Sequence, residues 1–346
     1  MTSARDRRLG RQRAGRVERP GSPGGFSSAD GRVSRRELLR LATLTGGALG
    51  TAELLAACSG KNGGSSDRAG SIGGSRTESL RSLVADVPQL SILAAQSQLP
   101  VGRSRYAFGL AGPTNALVER ASPQVWFAKS QTAKPLGPFA AKWVDMTAYQ
   151  ATGDRSPRSE LKGFYVAQVD LPSAGNWLGA AIVEVASQRA AGQGSIQVGN
   201  QLVGAVRSKA HSGPSPVATS AKGRAKICTR EPACPMHQIS FDQALSNGRP
   251  TVVSFATPLL CASRMCGPVV DEQLQAFKAM GDRANFVHVE IYPGRKTDQP
   301  APLYSAWGLK SEPWLFVIDK AGVIQARSEG PVVASEITAA LRPLVG

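Results

Sequence analysis

Two textures of apolar patterning divide the chain. From about Leu80 to Val206, apolar residues come in short runs, alternating or continuous, punctuated by turn residues and with little helical periodicity. The spacing predicts strands over Gln89 to Ala95, Arg105 to Leu110, Gln124 to Ala128, Phe164 to Asp170, Asn176 to Val185 and Ser195 to Val198. Pro172-Ser173-Ala174-Gly175-Asn176 supplies a turn between two of them. From Lys226 onward the period changes. The pattern predicts a helix over Ser240 to Leu245, a buried strand Thr251 to Ala256, a helix Val269 to Met280 and a strand Asn285 to Ile291. A short helix near Leu303 to Trp307, a strand Trp314 to Asp319, a turn at Lys320-Ala321-Gly322, a strand Val323 to Ser328 and a helix Val333 to Leu344 follow. This alternation implies a parallel strand-helix-strand start followed by a hairpin.

The fold class expected from these textures is multidomain, an N-terminal all-β sandwich of the immunoglobulin-like kind (80–206) followed by a C-terminal α/β domain (226–346). Trp177 is the candidate core aromatic of the sandwich. Residues 207–225, with Gly213-Pro214-Ser215-Pro216, read as a linker. The first segment has no cysteine, no histidine and no glycine-rich phosphate loop, so it reads as a spacing module or a surface for a protein partner.

Charge changes the picture mainly at the N-terminus. The net charge is +16, and much of the excess is arginine within the first 57 residues, while the remaining basic residues are scattered without an aromatic-interleaved patch. That argues against nucleic acid as a partner. Ser34-Arg35-Arg36-Glu37-Leu38-Leu39 opens a modestly apolar run that ends in Leu55-Ala56-Ala57-Cys58. The stretch resembles a twin-arginine signal peptide joined to a bacterial lipoprotein cleavage box, covering residues 1–57 together with a disordered start. The resemblance implies cleavage before Cys58 and a diacylglyceryl group on its thiol. Two acyl chains give stable anchoring. The protein would then sit on the extracytoplasmic face of the cell membrane. Residues 58–79, rich in Gly and Ser, read as a flexible tether.

The chemistry-bearing residues lie in the C-terminal segment. Cys261 and Cys266 fall between a predicted strand and a predicted helix, where free N–H groups and the positive end of the helix dipole stabilise a thiolate. With Cys58 acylated, four cysteines remain, and Cys228 and Cys234 read as a local structural disulfide. Over residues 226–346 the chain resembles the thioredoxin fold. The matching residues are Phe255-Ala256, Cys261, Gly267-Pro268, the run Glu312-Pro313-Trp314-Leu315-Phe316-Val317-Ile318-Asp319, and Gly322.

That resemblance implies an attacking thiolate at Cys261, a resolving partner at Cys266, and a cis-proline at Pro313 facing them. One departure stands out. Thioredoxins place two residues between their cysteines, whereas four separate Cys261 from Cys266. The spacing is closer to that of copper-delivering relatives in cytochrome oxidase assembly. The expected function is thiol–disulfide exchange on exported proteins. The alternatives are a Cu(I) metallochaperone using Cys261, Cys266, Met265 and His237, and a non-enzymatic cell-surface binding protein. His288, inside the predicted strand Asn285 to Ile291, reads as a packing residue.

Overall fold

The computed structural model describes residues 79–146, 162–199 and 203–346. The first element is a short helix, α1 (Leu80–Val84), capped by Ser79, whose hydroxyl accepts from the Ser82 amide. Eight strands follow: β1 (Gln89–Ala94), β2 (Gln98–Pro100), β3 (Gly102–Ala111), β4 (Gln124–Ala128), β5 (Leu136–Asp145), β6 (Gly163–Leu171), β7 (Gly175–Val185) and β8 (Gln188–Gly199). They form one sheet in the order β1-β3-β6-β5-β4-β7-β8-β2. β1 also pairs in parallel with β8, Gln89 opposite Ala191 and Ser91 opposite Gln193. That bond closes the strands from β1 round to β8 into a barrel, with β2 continuing along the same edge of β8.

Alternation along the strands fills the barrel. Tyr106, Phe108, Leu110, Val125, Phe127, Tyr165 and Trp177 belong to one buried cluster. Tyr106 stacks on Phe108 with ring centroids 5.0 Å apart. Tyr165 donates its hydroxyl to Val118 O at 2.8 Å and accepts from the Ala121 amide at 3.2 Å, so its polar tip is satisfied inside the barrel. On the outer face, α1 lays Leu80, Leu83 and Val84 against Trp126, Ala180 and Ala191. Trp177 is a core aromatic as the sequence suggests, whereas Trp126 packs beneath α1.

The C-terminal segment builds a second sheet of four strands in the order β10-β9-β11-β12, comprising β9 (Thr251–Ala256), β10 (Asn285–Glu290), β11 (Trp314–Ile318) and β12 (Ile324–Glu329). β9 and β10 are parallel, and β11 runs antiparallel to both β9 and β12. Five helices accompany it: α2 (Ala221–Ile227), α3 (Phe241–Ser246), α4 (Cys266–Met280), α5 (Pro302–Ala306) and α6 (Ala334–Leu341). α4 and α6 share a core with Val252, Leu315 and Val317. The opposite strand positions Val253, Phe255 and Phe316 pack with Phe241 of α3, Leu303 of α5 and Trp307.

The fold class expected from the sequence is therefore corrected. An immunoglobulin-like sandwich has two sheets with open edges, and here the ring of strands closes instead. Nor does a thioredoxin-like α/β domain stand apart beside it. The described chain is mostly β, its helices are short apart from α4, and Ala107, Met146 and Phe164 of the barrel segment share one core cluster with Val252, Cys266 and Ile337. A period of two is common to sandwiches and barrels, so it does not separate them. Closure depends on close approach at Gly192, where an added Cβ would lie 2.8 Å from Leu110 and 3.0 Å from Ile92.

The two sheets are joined by specific polar contacts. Arg105 of β3 makes a bidentate pair with Glu336 of α6, Nε to Oε1 at 2.7 Å and Nη2 to Oε2 at 2.9 Å, and donates to Pro331 O at 3.0 Å. Ser97 donates to Glu329 Oε1 at 2.6 Å.

Candidate functional site

β9 is buried at every position and hands the chain to a loop that reaches α4 at Cys266. Gly267 and Pro268 follow at once, and proline is well accepted in the first helical turn because the amide it lacks has no intrahelical partner there. The opening amides of α4 are left to other acceptors. One is sulfur: the Cys266 N–H donates to Cys261 Sγ at 3.3 Å. Ser263 Oγ lies 3.2 Å from the same sulfur and 3.2 Å from Glu312 O, so its single proton serves either acceptor. The Ala262 amide donates to Glu312 Oε1, also at 3.2 Å. A carboxylate oxygen of Glu312 and the sulfurs of Cys261 and Cys266 all lie within 4.8 Å of one another.

These contacts make the two thiols unequal. Hydrogen bonding with the Cys266 thiol pulls the Cys261 pKa down to about 7, against the effect of burial, with help from Ser263 and the Cys266 amide. Burial pushes Cys266 well above an ordinary thiol, and the neighbouring Cys261 adds to the rise. Cys261 is half-buried and Cys266 fully buried. The Glu312 carboxyl is raised by burial and by the charge of Glu290, although the Ala262 amide opposes this.

Pro313 is buried at the start of β11, its preceding peptide bond is cis, and its carbonyl accepts from the Gly330 amide at 2.9 Å. Met265 is the N-cap of α4 and lines an apolar cleft of about 150 Å³ with Phe108, Trp143, Phe164 and Pro331. Cys228 and Cys234 are neighbours, with sulfurs 3.9 Å apart and both thiols free. His237 lies not with Cys261 and Cys266 but in a second cluster with Cys228, Cys234 and His288, all four buried. Cys58, Arg35 and Arg36 fall outside the described residues.

In that second cluster His288 Nδ1 is 3.7 Å from Cys228 Sγ and 3.4 Å from Cys234 Sγ. Hydrogen bonding from Cys234 holds the Cys228 thiol far below its ordinary range, while burial raises Cys234. Burial acts to lower the His288 pKa, yet its hydrogen bond and charge interaction with Cys228 carry it above the usual value.

Two site residues escape sequence reasoning. Glu312 is legible only as the residue before Pro313. His288 sits in a strand that buries every side chain, so alternation gives it no polar face to announce it.

No family model and no curated protein matches the chain. Solved structures with some likeness include a thiol:disulfide interchange protein of the thioredoxin family from Chlorobium tepidum TLS. It is 18% identical with a TM-score of 0.26, covering 40% of this chain and all of that one. The ZirS C-terminal domain is 11% identical with a TM-score of 0.17, covering 45% of this chain and 99% of its own length. Titin domain M7 is 10% identical with a TM-score of 0.16, covering 32% and 95%. Scores this low assign neither a fold nor an activity.

Proposed function

We propose that this protein is a lipid-anchored, extracytoplasmic thiol–disulfide exchange protein whose chemistry is carried by Cys261 and Cys266. One observation carries the reading: a half-buried thiol with a pKa of about 7 lies beside a buried, high-pKa thiol at a helix start. A thiol ionised near neutral pH is a competent nucleophile with good intrinsic reactivity. The Cys261 thiolate attacks one sulfur of a disulfide in an exported protein, forming a mixed disulfide and releasing the other sulfur as a thiolate. Cys266 then loses its proton to the Glu312 carboxylate and attacks Cys261 Sγ, and the second substrate thiolate leaves. The substrate gains two electrons and the pair ends as a disulfide, which an external dithiol reduces to restart the cycle. Residues Arg35, Arg36 and Cys58 support the membrane-anchored setting.

The test is reduction of a disulfide-bonded reporter peptide by the full chain with dithiothreitol as the dithiol. Turnover should vanish in Cys261→Ser, and Cys266→Ser should accumulate the mixed disulfide. Equal turnover in wild type and Cys261→Ser overturns the reading. A second reading, Cu(I) carriage, is favoured by the two soft sulfurs of Cys261 and Cys266, which lie within 4.8 Å of each other. Equilibrium dialysis of the reduced chain separates the two, because an exchange protein retains no stoichiometric copper that is lost in Cys261→Ser.

A further inference from the structure

The buried cluster of two cysteines and two histidines beneath the β9–β10 edge is not used by the exchange chemistry. We propose that Cys228, Cys234, His237 and His288 form a closed tetrahedral site for one zinc ion. Both sulfurs and one ring nitrogen of each histidine lie within 4.8 Å of one another.

The spacings match that coordination. Zinc bonds of about 2.3 Å to sulfur and about 2.0–2.1 Å to nitrogen at tetrahedral angles set two sulfurs about 3.8 Å apart, and sulfur and nitrogen about 3.5–3.6 Å apart. The sulfurs of Cys228 and Cys234 are 3.9 Å apart, and His288 Nδ1 lies 3.7 and 3.4 Å from them. A disulfide needs an S–S length of about 2.05 Å and gives the two imidazoles nothing to do.

The surroundings are those of ligands already oriented. His288 Nε2 lies 3.1 Å from Ala256 O, so that nitrogen carries the proton and Nδ1 presents a lone pair towards the sulfurs. Thr229, next to Cys228, donates its amide and hydroxyl to Glu290 Oε2 at 2.8 and 2.7 Å, which fixes the chain at the first ligand. His237 is 2% exposed, and its Nε2 makes no hydrogen bond. Burying such a group without a partner is costly, and an ion in the cluster accounts for the placement of this ring. Two thiolates and two neutral imidazoles around a divalent cation sum to zero charge, the state a buried site favours. With all four ligands buried, no open coordination position is left, as in structural rather than catalytic zinc sites. The ion would bind the loop before α3 to the middle of β10.

The experiment is metal analysis of the full chain purified under reducing conditions. About one zinc per chain is expected, retained in Cys261→Ser and lost in Cys228→Ser and His288→Ala. Because those variants can misfold, the wild-type chain is also exchanged with Co²⁺ after chelation. Intense visible d–d bands of tetrahedral cobalt with sulfur-to-cobalt charge transfer are expected. Weak octahedral bands, copper in place of zinc, or a Cys228–Cys234 disulfide in a folded, zinc-free chain each overturn the site. These readouts are independent of exchange activity, so failure of one proposal leaves the other standing.

Discussion

The amide of Cys266 donates to the sulfur of Cys261 at 3.3 Å, so the helix start and the half-buried thiol are one electrostatic unit. The Cys261 thiolate is favoured above a pH of about 7, and its reactivity falls as pH drops through that value. Peptide-resolved alkylation by iodoacetamide should show Cys261 half-reactive near this pH, with Cys228, Cys234 and Cys266 protected in the folded chain. Ser263→Ala removes the hydroxyl 3.2 Å from the sulfur. One hydrogen bond of about 1 kcal/mol corresponds to roughly 0.7 pH, so the midpoint should rise by about that much. An unchanged or lower midpoint contradicts the assignment of Ser263 as a stabiliser of the thiolate.

A second expectation concerns the seam between barrel and sheet. Gly330 has φ of +75°, and a Cβ there would meet Ala95 O at 2.2 Å. Gly330→Ala therefore combines a left-handed backbone, costing about 1–2 kcal/mol, with a collision against main chain that no rotamer relieves. Urea denaturation should show a loss of at least that size. A loss below 0.5 kcal/mol, on the order of ordinary surface substitutions, means the seam opens more easily than its hydrogen bonds suggest.

Inside the barrel, Tyr165→Phe deletes a hydroxyl that both donates to Val118 O and accepts from the Ala121 amide. The buried Val118 carbonyl and the half-buried Ala121 amide lose their partner, so the cost should be about 1–3 kcal/mol with no change in the thiol chemistry of Cys261. Thermal unfolding together with the alkylation profile checks both halves of this expectation.

What the sequence made legible follows from where physics writes locally. β9, β10 and β11 are short stretches rich in β-branched and aromatic residues, and their expected spans lie within about a residue or two of the observed ones. β5 was missed because Gly137-Pro138 breaks its reading, although Leu136 and Phe139 face Phe127 and Val125 across the ladder. The β7–β8 turn was missed because Ala186 and Ser187 take φ of 50° and 64°, a conformation usually announced by Asn-Gly. Closure of the barrel rests on β1 meeting β8, about a hundred residues away in sequence, and no turn signal records such a pairing. The pairing of Cys261 with Cys266 was visible from spacing. The gathering of His237 and His288 around Cys228 and Cys234 needs the register of β10 and was not.

The last prediction joins the loop bearing Cys228 and Cys234 to the helix bearing Cys266. Arg230 Nε lies 2.5 Å from Asp271 Oδ1, and the two side chains are 8% and 4% exposed. Arg230 also donates to Pro232 O, so the guanidinium ties α4 to the loop that holds Cys228 and Cys234. A buried pair of this kind is costly to break from one side, because the surviving charge keeps its desolvation penalty without its partner. Asp271→Ala and Arg230→Met should each cost about 3–5 kcal/mol in urea denaturation. The double variant Arg230→Met/Asp271→Ala leaves no orphaned charge and should lose clearly less than the two single losses added together. Strict additivity would mean that the two side chains act separately, and that the loop is held to α4 by something other than this pair.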